Sequence, residues 1–129
     1  MAFIVLLDAN VIYPNTLRDV LLTAADADLY QLRLTEQIVS EMSHAVTQNN
    51  PGANMNKTVA AIKQAFGDTY VEGFEGLIPA MTNDPKDRHV LAAAVASGAA
   101  LIVTSNTRHF PTTACSPYSI EVQTPDEFL

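Results

Sequence analysis

Cysteine is nearly absent from this 129-residue chain: Cys115 stands alone, which excludes an internal disulfide framework and any multi-cysteine zinc site. Basic residues are also scarce. Lys and Arg number 7 against 14 Asp and Glu, a formal charge of −7 with histidines neutral. That balance argues against a nucleic-acid binder working through a broad basic surface, because phosphate neutralisation requires clustered Lys and Arg. It leaves room for a small acidic metal site. No long hydrophobic run is present. Phe3 to Leu7 is five residues long and ends at Asp8, too short for a membrane span and without the basic start and cleavage site of a signal peptide. Repeats, low-complexity tracts and linker-like shifts in composition are lacking too. What is there is a 48% apolar chain with 16% charged residues, enough for a core and too little charge for global disorder. These features lead us to expect one soluble, cytoplasmic domain over residues 1–129 with no membrane partner.

Phe3–Leu7 has the continuous apolar pattern of a strand buried on both faces. Pro14 suits the start of a helix reaching about Asp26, with Leu17, Val20, Leu21 and Ala24 inward. Leu32–Leu34 reads as a short strand. Thr35 is placed to cap a helix to about Gln48, burying Ile38, Val39, Met42 and Val46. After the breaker Asn49-Asn50-Pro51-Gly52, a further helix is expected from Met55 to Phe66. Gly67 to Met81 carries no clear period. Asp84-Pro85 opens an Ala-rich helix closed by Ser97-Gly98, and Ala100–Thr104 and Ile120–Val122 read as strands. Apolar strands alternating with helices imply a three-layer α/β/α domain with a central, mainly parallel sheet.

In such a sheet ligands bind beyond the carboxyl ends of the strands. Asp8 follows the first strand directly, and Ser105-Asn106 follows the strand Ala100–Thr104. Asp87 opens the helix that runs back before that strand, and so belongs at the same rim. Glu41, in the second turn of its helix, is within reach. Carboxylates brought within about 4–6 Å of one another repel and raise each other's pKa. A hard cation such as Mg²⁺ relieves that conflict through oxygen ligands and retained waters, and makes phosphodiester hydrolysis available. Each residue also has a plainer reading: an Asx turn between Asp8 and Asn10, a solvated Glu41, an Asp87 favoured by the helix dipole. Arg18 either contacts phosphate or balances charge. Arg88, Arg108 and His109 either steer a polyanion or form a solvated edge. His89 and His44 read as packing or surface residues, Asp84 as a helix cap, and Cys115 as inert.

Four segments together resemble the PIN domain family, in particular its bacterial VapC-like toxin branch. They are Leu7-Asp8-Ala9-Asn10-Val11-Ile12-Tyr13-Pro14 with Leu17-Arg18-Asp19, Glu36 to Glu41, Asn83-Asp84-Pro85-Lys86-Asp87-Arg88-His89 to Ala94, and Val103-Thr104-Ser105-Asn106-Thr107-Arg108-His109-Phe110-Pro111. The resemblance implies a Mg²⁺- or Mn²⁺-dependent ribonuclease. Asp8, Glu41 and Asp87 would be its first three acidic residues, Asn10 an orienting neighbour, and Asn106 would stand at the fourth acidic position. An amide there adds no charge, which weakens a second metal site. Asn10, Arg18, Arg88 and Arg108 are the candidate substrate contacts. The resemblance also implies an RNA substrate, a partner antitoxin protein and a homodimer. Relatives of this branch often continue past Thr124–Leu129, so it points to either a chain truncated at its carboxyl terminus or a minimal domain. Two competing readings stand beside it. A catalytically inactive PIN-like module would bind RNA or protein. A haloacid-dehalogenase-type phosphatase would need a second Asp where Asn10 stands, and a lysine motif that is missing.

Overall fold

A computed structural model describes residues 3–129. The apolar runs form four short strands, β1 (Ile4–Leu7), β2 (Gln31–Arg33), β3 (Leu101–Val103) and β4 (Glu121–Gln123). All pair in parallel in the order β2-β1-β3-β4. The central pair β1 and β3 is fully buried at Val5, Leu6, Leu7, Ile102 and Val103, as a sheet covered on both faces requires. The helices that cover it are α1 (Ala9–Ile12), α2 (Asn15–Asp26), α3 (Glu36–Asn49), α4 (Asn56–Phe66), α5 (Arg88–Ser97), α6 (Thr112–Cys115) and α7 (Pro125–Phe128). The result is the three-layer α/β/α fold expected from the pattern. No helix among the described residues is long and apolar enough to cross a membrane.

Local chemistry sets the boundaries. Thr35 caps α3 by accepting from the Ile38 amide at 3.0 Å. Gly98 ends α5 in the left-handed region at φ 70°, a conformation that disfavours any Cβ. The expected helix beginning at Asp84-Pro85 starts instead as a 3₁₀ turn, Pro85–Asp87, with Asp84 accepting from Lys86 N; α5 proper begins at Arg88. Val20, expected inward on α2, is exposed, because α2 buries only the stripe through Leu21 and Arg18. Cys115 lies in the short helix α6 and is buried, where desolvation pushes its thiol up. The patternless stretch from Gly67 to Met81 contains two 3₁₀ turns and one parallel bridge, Leu34 to Tyr70, with Phe74 and Met81 anchoring it in the core.

The order β2-β1-β3 means that the chain leaves β1 toward one side and returns on the other. The topological switch point therefore lies between the carboxyl ends of β1 and β3, where such sheets open a crevice.

Candidate active site at the sheet switch point

Asp8 emerges from β1 at that crevice and is 3% exposed. It caps α1, with Oδ1 accepting from the Ala9 amide at 2.8 Å. Its Oδ2 accepts from the Thr104 hydroxyl at 2.9 Å and from Asn10 Nδ2 at 3.3 Å. Asn10 in turn accepts the Ser105 amide at 2.9 Å, tying α1 to the end of β3. The Asx-type contact of Asp8 with Asn10 and a role for Asn10 in orienting Asp8 thus coexist. Despite three hydrogen bonds, the Asp8 carboxyl is pushed up from 3.8 to about 6. Burial is the main cause, and the negative charges of Asp87 and then Glu41 add to it. Three carboxylates from β1, α3 and the start of α5 therefore share one electrostatic field.

Asp87 stands at the N-cap of α5 with His109 Nδ1 2.7 Å from its Oδ2, and the other side of that imidazole lies 3.7 Å from Asp84 Oδ2. Asn83, almost wholly buried, donates to the Asp87 carbonyl at 3.0 Å and holds the turn. Glu41, on α3, is about two-fifths exposed. It accepts from Gln37 at 3.3 Å and lies 3.2 Å from His89 Nε2, off the line that a hydrogen bond requires. His89 is 6% exposed with neither ring nitrogen hydrogen-bonded, a buried polar group turned toward the acidic site. His89 and His109 thus sit beside the second and third carboxylates, roles that helix position alone did not suggest. Thr104 is the other residue the sequence reading missed, although the resemblance included it. A fully buried hydroxyl at a strand end, bonded to Asp8, is its signature.

The remaining candidates spread out. Asn106 is exposed beyond Thr104, where its backbone amide donates to the Thr104 hydroxyl while its side chain caps nothing. Arg108 is exposed on the next turn. Arg88 donates through Nε to the Asn83 carbonyl at 2.9 Å, which bends it back onto its own loop. Arg18 departs most clearly from a phosphate contact. Its guanidinium is buried and donates to the Ile12 and Tyr13 carbonyls at 2.9 and 3.3 Å and to Asn15 Oδ1 at 2.6 Å, satisfying the end of α1. Arg18→Ala should therefore lower stability by about 2 kcal/mol, since it orphans these acceptors. Thermal unfolding measures that loss. The salt dependence of RNA binding by the folded variant should stay at the wild-type slope.

No group of three or more His, Cys, Asp or Glu among the described residues forms a ready-made ion cage. Mg²⁺ and Mn²⁺ are hard cations that favour oxygen ligands, and Mg²⁺ in particular keeps several waters and takes one or two carboxylates directly. Asp8, Glu41 and Asp87 offer oxygen donors only, and burial together with the charges of Asp87 and Glu41 holds the Asp8 carboxyl up, a donor set that fits a partly hydrated divalent ion.

The fold and the site thus define an α/β domain with an acidic crevice at the switch point of a four-stranded parallel sheet, anchored by the aspartate after β1. A PIN domain family model matches residues 4–108, and the chain belongs to that family. Over 57 residues it is 56% identical to Putative ribonuclease VapC50 of Mycobacterium tuberculosis (strain ATCC 25618 / H37Rv), a match covering 44% of this chain and 34% of that relative. The match thus spans about a third of the relative's length. No solved structure gives a significant match.

Proposed function

We propose that this chain is a divalent-metal-dependent endoribonuclease acting on RNA phosphodiesters, and that it is the toxin of a cytoplasmic toxin–antitoxin pair. The observation that carries the nuclease reading is the Asp8 carboxyl, buried at the crevice, held there by Thr104 and Asn10 and sharing one field with Asp87 and Glu41. The name of the matching relative, Putative ribonuclease VapC50, supports the ribonuclease assignment, and the toxin assignment rests on the resemblance to the VapC-like branch. In this reading Asp8, Glu41 and Asp87 hold Mg²⁺ or Mn²⁺. When bound, the ion supplies Lewis-acid charge that activates an attacking water and offsets charge developing on the phosphate. The chain's own part is orientation. Thr104 and Asn10 fix the Asp8 carboxylate, His109 holds Asp87, and Asn83 holds the turn that presents Asp87. Asn106 and Arg108, exposed at the rim, are the proposed substrate contacts. RNA, an antitoxin protein and a second copy of the chain are the proposed partners.

One observation favours a second reading, an inactive PIN-like module that binds RNA or protein. Asn106 replaces the fourth acid with an exposed amide. Cleavage of a mixed-sequence single-stranded RNA in Mn²⁺, in Mg²⁺ and in EDTA separates the two. The nuclease reading expects cutting in either ion and none in EDTA. RNA binding without cutting in any of them selects the inactive module.

A further inference from the structure

The carboxylates do not stand in open solvent. Asp8 and Glu41 form one end of a cavity of about 290 Å³ that runs between α1 and α3, floored by the fully buried Met42 and bounded by Tyr13, Ala45 and Asn49. Helical spacing makes this a continuous groove. Asn10 on α1 and Tyr13 at its C-cap lie three apart, and Glu41, Ala45 and Asn49 lie four apart on α3, so each helix turns one face to it. Its walls are mostly apolar and carry no Lys or Arg. The occupant is therefore not an anion, and the groove is too small for a packed helix.

We propose that this groove is a nucleobase subsite, which takes the base next to the phosphate held at Asp8, with Tyr13 as its aromatic wall. The proposal rests on the nuclease reading and names how the substrate is held. Single-stranded RNA is gripped chiefly by stacking unpaired bases on aromatic side chains. Every phosphate placed at the carboxylates brings a base one sugar away, and a planar, uncharged, mostly apolar surface is what this cavity accepts. Asn49 stands at the far end from the carboxylates with its Nδ2 donating to the Ala45 carbonyl at 3.0 Å, which leaves its Oδ1 as an acceptor for a base edge. The subsite also answers how a chain of charge −7 grips a polyanion: stacking replaces part of the phosphate contact that it lacks.

The test uses the full chain and two single-stranded RNAs that differ only by an abasic residue beside the mapped cut. Dissociation constants are read by fluorescence anisotropy in EDTA, and kcat and KM in Mn²⁺. The groove is expected to favour the intact RNA over the abasic one about tenfold in wild type, the size of one base–aromatic stack. Tyr13→Phe should keep that preference. Tyr13→Ala and Tyr13→Leu, checked for folding by thermal melt, should lose it by raising KM and Kd with kcat nearly unchanged. Cutting by wild type with equal affinity for the two RNAs overturns the subsite and leaves the nuclease standing. So does a folded Tyr13→Ala that keeps the preference, and a groove occupied by a partner peptide instead would produce either result. Tyr13-dependent preference for the intact RNA without cutting supports the subsite and overturns the nuclease.

Discussion

Asp8→Asn is expected to slow metal-dependent RNA cleavage by at least ~10³-fold, a loss of several kcal/mol of charge stabilisation at the reacting phosphate. The substitution is nearly isosteric. The amide oxygen still accepts from Ala9 and α1 keeps its cap, so the effect reports charge and not collapse. Asn10→Ala should cost less, about 10- to 100-fold, because it only loosens the orientation of Asp8 and the tie to Ser105. Single-turnover cleavage of a labelled RNA at saturating Mn²⁺ measures both. A rate for Asp8→Asn within a few-fold of wild type would remove Asp8 from the chemistry.

The same substitution is expected to stabilise the metal-free protein at neutral pH and to lose that advantage in acid. Asp8 has its folded pKa raised from 3.8 to about 6, so burying its charged form costs about 3 kcal/mol. Below about pH 4 the group is protonated in both states and imposes no penalty. Between about 4 and 6 the folded protein keeps a proton that the unfolded chain has released, and stability falls as pH rises. Above about 6 the whole contribution is gone. Asn at this position carries no charge, although its Nδ2 faces the Asn10 amide and the Thr104 hydroxyl less well, at a cost of about 1 kcal/mol. In EDTA at pH 8, Asp8→Asn should therefore be about 2 kcal/mol more stable than wild type, and by pH 4 the order should reverse. Mn²⁺ at pH 8 should stabilise the wild type more than the variant. Chemical denaturation across this pH range reads the crossover.

The strand ends were legible because fully buried parallel strands are unbroken apolar runs, and the polar residue that stops the first run, Asp8 after Leu7, marks the rim. Caps were legible for the same local reason, at Thr35 and Gly98. What escaped depends on contacts between distant segments. His89 and His109 gain meaning only when α5 and the turn after β3 bring them to Glu41 and Asp87. Arg18 reads as either a phosphate contact or a balancing charge until α1, too short to be seen by periodicity, turns its last carbonyls toward it. Gly67 to Met81 is held by one bridge and by Phe74 and Met81 in the core, an arrangement with no period to detect. The groove beside the carboxylates was invisible for a similar reason, since it exists only where α1 packs on α3.

In the proposed site Asp8, Glu41 and Asp87 together hold a divalent cation. Calorimetric titration of Mn²⁺ at pH 6.5, in two buffers of different ionisation enthalpy, tests it most directly. One saturable site is expected, with proton release as the fraction of Asp8 still protonated gives up its proton, and with affinity at least about tenfold weaker in both Asp8→Asn and Asp87→Asn. Unchanged binding in Asp8→Asn, or no saturable binding by wild type at millimolar Mn²⁺, would contradict it.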